Sequence, residues 1–160
     1  MKHGRASVIR RVEAEQRALD RILRALGSAG LRRRVFSSET RESWTAKDAL
    51  AHVTAWKWGV YRAMWRYLPP AARRVEPPPR PAGRGVIERN AAIWRRWHRR
   101  PAREVLADHR ACHTALRRAL RALPDEFFSG RDRSPQWPFD AVGHVAEHRR
   151  KHLERLLEER

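Results

Sequence analysis

Apolar residues recur at three- and four-residue steps through most of this chain, the spacing that places side chains on one face of an α-helix. No stretch shows the strict alternation of apolar and polar residues that a half-buried strand requires. The pattern therefore predicts an all-α protein, a bundle of four main helices with one short accessory helix. The predicted main helices cover residues 7–26, 46–68, 101–123 and 139–158, and the accessory helix covers residues 86–97.

The clearest helix boundary lies at Thr45. A threonine at the N-cap and an acidic Asp48 three residues later form a capping-box signature, in which each side chain bonds the backbone N–H of the other residue. The helix therefore begins at the next residue and carries His52 close to its N-terminus. It stops at Pro69, and the prolines between residues 77 and 81 predict a long, extended connection to the next helix.

The composition fits a single domain over residues 1–160. Apolar residues make up 41% of the chain, but no uninterrupted run approaches the roughly 18–20 residues of a membrane-spanning helix. The charged N-terminal region lacks the apolar stretch and cleavage site of a secretion signal. Cys112 is the only cysteine, which excludes an intrachain disulfide. We therefore expect a cytoplasmic protein with no membrane partner.

The formal net charge of +18 raises the question of a nucleic-acid partner. Only four of the 36 basic residues are lysines, and the arginines are spread over nearly every segment. Such charge runs mark solvated helix faces more often than binding surfaces. Nucleic-acid association is the less favoured reading, and its best support is the stretch in which Arg95 and Arg96 lie between Trp94 and Trp97.

Three histidines follow one another at four-residue spacing near the end of the chain. At about 100° per residue, His148 and His152 lie on the flank of the apolar stripe of the last helix, while His144 lies about 160° from its centre and is expected to face solvent. His52 occupies a similar flank of its own helix. Imidazoles one turn apart can bind the same metal ion. The alternative is a set of surface histidines paired with nearby glutamates.

A second cluster lies on the predicted helix over residues 101–123. His109, Cys112 and His113 all fall within about 60° of its apolar centre, so they are expected to point inward. Buried imidazoles need hydrogen-bond partners or an ion, because leaving one unsatisfied costs about 1–3 kcal/mol. The structural alternative to an ion site is a pair of core histidines bonded to neighbouring side chains or water. We read Cys112 as a small buried hydrophobe, not a nucleophile.

Several of these segments together resemble the DinB-like superfamily of four-helix bundles, and most closely its ClbS/DfsB-type branch. The resemblance covers most of the chain, and it implies an up-down-down-up bundle with a long connection between the second and third helices. The proline-rich residues 69–85 fall where that connection belongs. The matching segments are WTAKDALAHVTAW at 44–56, Glu88-Arg89-Asn90 before Trp94, PAREVL at 101–106 followed by His113, and Glu147-His148 with His152.

The resemblance also implies a metal site. Many members of the superfamily bind a divalent ion, often zinc or nickel, through one histidine of the second helix and two of the fourth. Those positions match His52, His148 and His152 of this chain. In thiol-dependent relatives the metal lowers the pKa of a low-molecular-weight thiol cosubstrate. The ClbS-type branch is instead associated with self-protection through hydrolytic opening of an electrophilic ring.

The leading functional hypothesis is a metal-dependent thiol transferase or hydrolase that acts on a small electrophilic metabolite, in detoxification or self-protection. We expect Trp56, His113 and Trp137 to line its pocket, and a homodimer is the expected assembly. One alternative is a metal-free protein that sequesters the small molecule without catalysis. A second alternative, from a different class, is the basic helical protein associated with nucleic acid.

Overall fold

The structure is a computed structural model that describes residues 4–35, 43–128 and 138–159. It confirms the all-α fold, since the only β-type pairing in these residues is one isolated bridge between Arg34 and Thr45. The helices are α1 (Arg5–Leu31), α2 (Ala46–Trp65), α3 (Val86–Trp97), α4 (Ala102–Ala122), α5 (Pro138–His148) and α6 (Arg155–Glu158). A π-helical turn over Arg149–Glu154 joins α5 to α6, and short 3₁₀ turns cover Pro70–Ala72 and Asp125–Phe128.

Contacts between helix ends define how the first helices run. Arg5, at the start of α1, donates a 2.5 Å hydrogen bond to the carbonyl of Leu123, just beyond α4, so these two helices are antiparallel. Lys47, at the start of α2, donates to the carbonyl of Arg100, just before α4, at 2.8 Å. The beginnings of α2 and α4 therefore lie together, and these two helices run parallel.

The last helix completes the bundle. It is continuous from α5 through the π-helical turn to α6. Arg33, just after α1, donates a 2.5 Å hydrogen bond to the carbonyl of Leu156 in α6, so the last helix ends where α1 ends and runs parallel to it. Taken with the other three directions, this contact confirms the predicted up-down-down-up arrangement.

The end of α1 differs from the prediction. Gly27 has φ +60° and ψ −170°, a backbone conformation that glycine adopts without strain, and it interrupts the helix at the expected place. The chain then resumes a helical turn up to Leu31, whose side chain is buried in the core. Burial of that leucine explains why the glycine kinks the helix but does not end it.

The connection between α2 and α3 is long and mostly non-helical, as the prolines predicted. Two hydrogen bonds from α2 hold it against the bundle. The Tyr61 hydroxyl donates to the carbonyl of Val75 at 2.5 Å, and Arg62 donates to the carbonyl of Pro78 at 2.5 Å. The proline-rich segment is therefore a fixed wall beside α2.

The interior holds two apolar clusters, one at each end of the bundle. Between them lies a layer of buried polar side chains, one each from α1 and α4 and two from α2. On α1, for example, Gln16 separates Val12 of one cluster from Leu19 of the other. The other members of this polar layer are Thr54, Lys57 and His109.

The polar layer forms one continuous chain of hydrogen bonds. Lys57 donates to the Gln16 side-chain oxygen at 2.8 Å, and the Gln16 amide nitrogen lies 3.0 Å from His109 Nε2. Since an amide nitrogen only donates, His109 Nε2 accepts and its Nδ1 carries the hydrogen. That Nδ1 donates to Thr54 Oγ1 at 2.9 Å, and the Thr54 hydroxyl donates to the Leu50 carbonyl at 2.8 Å. His109 is thus a core histidine bonded to neighbouring side chains, as in the structural alternative considered from the sequence.

We expect His109 to make the protein sensitive to acid. Burial lowers its pKa well below 6.5, and the positive charges of Lys57, His113 and Arg110 lower it further. Below pH 6.5 the unfolded chain binds a proton at this histidine that the folded chain does not bind. The free energy of unfolding therefore decreases as the pH is lowered. One such histidine contributes a slope of about 1.4 kcal/mol per pH unit. Urea unfolding of chelator-treated protein at about pH 7 and pH 5.5 measures this slope.

The matched variant is His109→Gln, which keeps hydrogen-bonding groups in the layer but has no proton to titrate. Its slope between the two pH values should be smaller than that of the unmodified chain by the contribution of one histidine. Equal slopes in the two proteins would show that His109 takes up its proton equally in the folded and unfolded states.

Candidate metal centre

The start of α2 is fixed by the predicted capping box. Thr45 Oγ1 accepts a hydrogen bond from the Asp48 N–H at 3.3 Å, and Asp48 Oδ2 accepts one from the Thr45 N–H at 2.9 Å. The same carboxylate oxygen lies 3.0 Å from Nδ1 of His98, the residue that follows α3. These contacts satisfy N–H groups that the helix itself leaves without partners. They set the position of His52 in the second turn of α2.

Lys47 anchors the same end of α2 to the end of α3. Its ammonium group donates to the carbonyls of Trp97 at 3.2 Å and Arg100 at 2.8 Å, and also to the carbonyl of His98. The last carbonyls of a helix carry partial negative charge and have no partner within the helix. One lysine therefore holds two helix ends together beside the histidine cluster.

His52 lies among histidines of the last helix. The ligand atoms of His52, His144 and His148 all lie within 4.8 Å of one another. The ring centroid of His52 is 4.6 Å from that of His148 and 5.2 Å from that of His144. The ring centroids of His144 and His148 are 4.4 Å apart, and that of His152 lies 5.1 Å from that of His148. Two helices thus bring four imidazoles together.

Burial determines the electrostatics of this cluster. His52 is 1% exposed and His148 is 5% exposed. Burial lowers the pKa of His52 well below its usual value, and the neighbouring His148, His144 and His152 lower it further. Burial and the neighbouring His148 also lower the pKa of His144 to about 4. Both rings are therefore neutral at physiological pH, which is the form that ligates metals.

The nitrogen atoms of His52 have no hydrogen-bond partner in the part of the chain that the structure describes. Both Nδ1 and Nε2 are buried there without a hydrogen bond, and the same is true of His144 Nε2. An unsatisfied buried polar group costs about 1–3 kcal/mol. By contrast, His109 in the polar layer has a partner on each nitrogen. The donor set of the cluster therefore fits a divalent cation that prefers imidazole ligands, such as zinc or nickel.

Two tryptophans pack around the cluster. The Trp44 ring is 5.3 Å from the His52 ring, and the Trp56 ring is 6.2 Å from His52 and 4.9 Å from His144. The indole nitrogen of each tryptophan is buried and has no hydrogen-bond acceptor among the described residues. The two indole rings thus give the cluster largely apolar surroundings.

The expectation that His144 faces solvent is wrong. Its ring is half-buried and packs against His52, His148 and Trp56. The error comes from the π-helical turn at Arg149–Glu154, which adds one residue to a turn and shifts the following residues by about 100°. The predicted angle refers to an apolar stripe that includes Leu153, near the end of that turn, and Leu156, beyond it. The sequence does carry one signal for His144, because it belongs to the same four-residue repeat as His148 and His152.

The π-helical turn is held by ion pairs. Arg149 donates two hydrogen bonds to the carboxylate of Glu15 on α1, at 2.5 and 3.2 Å, and a further one to Glu154. These contacts raise the pKa of Arg149. A two-point arginine–carboxylate contact has a defined geometry, so it fixes the register of the last helix against α1.

The remaining predicted site residues lie in different places. His113 is half-buried on α4, where burial and the charges of Lys57 and Arg117 lower its pKa to about 4. Its role in lining a pocket stays a prediction, and so does ligation by His152. Trp137 lies outside the described residues.

Cys112 is buried on α4, as the sequence indicated. Burial raises the pKa of its thiol to about 12, so the reactive thiolate does not form near neutral pH. Its sulfur lies 3.8 Å from the carbonyl of Thr54. The cysteine is therefore part of the packing beside the polar layer.

A family model for the DinB superfamily matches residues 11–156. The chain belongs to the DinB superfamily. This match includes α2 and the last helix, which carry the histidine cluster, and superfamily members typically bind a divalent metal. Comparison with curated proteins and comparison with solved structures each gave no match. No helix among the described residues of this DinB protein is both long and apolar enough to cross a membrane.

Replacing His52 by leucine should stabilise the metal-free protein. The change removes two buried nitrogens that lack partners, and leucine fits an apolar environment. We expect the free energy of unfolding in the presence of a chelator to rise by about 1 kcal/mol or more. Urea denaturation followed by circular dichroism measures it.

The control is His109→Leu, the same change at a histidine whose nitrogens are both bonded. It should lower the free energy of unfolding by at least about 1 kcal/mol, since Gln16 and Thr54 lose a partner. If His52→Leu destabilises the metal-free protein as much as the control does, His52 has a structural role and is not a metal ligand.

Proposed function

We propose that this protein is a metal-dependent enzyme that transfers a thiol, or water, to a small electrophilic molecule. The observation that carries the proposal is the buried cluster of His52, His144 and His148, in which both nitrogens of His52 lack a partner among residues 4–35, 43–128 and 138–159. Such an arrangement costs stability unless a ligand completes it, and superfamily members typically bind a divalent metal.

The ligands come from α2 and from the last helix. His52 and His148 are common to the cluster in the structure and to the set implied by the family resemblance. The third ligand is another histidine of the last helix, and the geometry favours His144 because its ligand atom lies within 4.8 Å of those of His52 and His148. Three protein ligands leave a further coordination position for a reacting molecule, as in catalytic zinc sites.

A divalent ion in this site would lower the pKa of a bound thiol or water near neutral pH. The chain supplies the rest of the environment. Trp44 and Trp56 form apolar walls that exclude bulk water and hold a flat or apolar electrophile against the histidines. Their indole N–H groups, which have no acceptor among the described residues, would serve as donors to the oxygen that develops negative charge when a strained ring opens.

The reaction balances without an added oxidant. With an epoxide as the electrophile, the thiol sulfur forms a C–S bond while the ring C–O bond breaks, and the thiol proton ends on the ring oxygen. With water in place of the thiol, the product is a diol. The acceptor is therefore a small molecule with a strained or activated carbon, in keeping with a role in detoxification.

Metal binding is the first test. We expect the protein purified without chelator, or reloaded with zinc or nickel, to hold about one ion per chain by elemental mass spectrometry. His52→Ala and His148→Ala should each weaken zinc affinity by at least about tenfold, because each variant loses one of the three protein ligands. The comparison of His144→Ala with His152→Ala identifies the third ligand, since only loss of a ligand lowers affinity to that extent.

His113→Ala is the control for metal binding, since this histidine lies on α4 outside the cluster. It should hold the ion as the unmodified chain does. A chain that takes up neither zinc nor nickel while folded, or an affinity that falls equally in the control, would contradict the metal site.

Turnover separates the enzyme from a sequestering protein. Metal-loaded protein is incubated with styrene oxide and either cysteine or buffer alone, and the products are counted by mass spectrometry. We expect many product molecules per chain and a rate that falls at least about a hundredfold in His52→Ala. A metal-loaded chain that binds the epoxide without forming product would favour the sequestering protein.

A further inference from the structure

A cavity separate from the histidine cluster lies between α2, α3, α4 and the proline-rich connection. Its volume is about 250 Å³. This is below the roughly 300–1,000 Å³ of sites for drug-sized ligands, so it suits a molecule built on one ring. It shares no lining residue with the histidine cluster.

The cavity has an excess of positive charge. Arg62, Arg80 and Arg96 line it together with a single acid, Asp108. Burial lowers the pKa of Arg62, and the nearby charge of Arg80 lowers it further. Positive charge is thus concentrated around the cavity, and an anion bound there would relieve the repulsion among the guanidinium groups.

The single acid is already engaged. Asp108 Oδ1 accepts a 3.1 Å hydrogen bond from the indole N–H of Trp58, and burial raises the pKa of its carboxyl group. No ion pair within 4 Å joins Asp108 to an arginine among the described residues. The charge of Arg96 favours the ionised form of Asp108, but one carboxylate offsets only one of the three arginine charges.

The walls of the cavity are flat and apolar. Trp58 and Trp97 contribute indole rings, and Pro78, Pro79 and Pro81 contribute the opposite side. The wall of prolines is held in place by the hydrogen bond from Arg62 to the Pro78 carbonyl. Arg96 lies over the Trp97 ring, with its guanidinium carbon 5.7 Å from the ring centroid. A flat ligand can stack on these surfaces while its charged group faces the arginines.

We propose that this cavity is a second ligand site, which binds a small flat organic anion such as an aromatic carboxylate or phosphate. The ring of the ligand lies between the indoles and the prolines, and its anionic group bonds to Arg80 and Arg96. Both arginines have exposed side chains, so a ligand can reach them from solvent. The site is independent of the metal centre and of the proposed reaction.

The test is calorimetric titration with benzoate and with phenyl phosphate, in a chelator so that no metal ion competes for the anion. We expect saturable one-to-one binding that weakens with added salt, and no binding of uncharged benzamide. The ratio of the two affinities shows whether the site prefers a carboxylate or a phosphate. Absence of saturable binding of either anion in the millimolar range would overturn the proposal.

Three variants locate the site. Arg80→Gln/Arg96→Gln should weaken binding at least about tenfold, since two charge-assisted contacts are lost. Ala92→Phe should do the same by filling the cavity without changing its charge. Arg95→Gln is the matched control, because this exposed arginine of α3 does not line the cavity. Equal weakening of binding in the control would show that the overall charge of the protein, and not the cavity, determines the affinity for the anion.

The His52→Ala variant separates this proposal from the metal centre. It should bind benzoate as the unmodified chain does, whether or not the chain holds a metal. Loss of benzoate binding in His52→Ala, with the arginine variants unaffected, would place the anion at the histidine cluster and overturn the second site.

Discussion

The layer of hydrogen bonds from Lys57 through Gln16 and His109 to Thr54 is the constraint on which the bundle depends. Apolar contacts between helices tolerate small shifts along the helix axis, but a hydrogen bond does not, because an unmade bond leaves a buried polar group unsatisfied. The layer joins α1, α2 and α4 at one level and divides the core into two apolar clusters. It therefore fixes the height at which α2 presents His52.

The contrast between His109 and His52 separates structure from function in this chain. Both imidazoles are almost completely buried and both are neutral near pH 7. His109 has a partner on each nitrogen, whereas His52 has none within the described ranges and lies among other histidines. The first arrangement stabilises the fold. The second is unfavourable in isolation, which is the pattern expected where selection preserves a site for a ligand at the cost of stability.

Much of the fold could be predicted from local chemistry, whereas the site required the tertiary structure. The Thr45–Asp48 capping box and the prolines after α2 act over a few residues, so the sequence shows them directly. The tautomer and partners of His109 depend on side chains of three helices, which periodicity does not describe. The orientation of His144 was missed because a π-helical turn changes the angle between residues on either side of it, and no local composition signals such a turn.

The π-helical turn also divides the last helix into two parts that can vary separately. Residues before it direct histidines toward α2, while Leu153 near the end of the turn and Leu156 after it pack in the core. In a regular helix, both groups would have to share one periodic stripe, and a change that improved one would misalign the other. The extra residue removes that conflict. Deletion of a single residue between 149 and 154 would restore a regular helix. The last helix could then either bury its leucines in the core or direct its histidines toward His52, but not both.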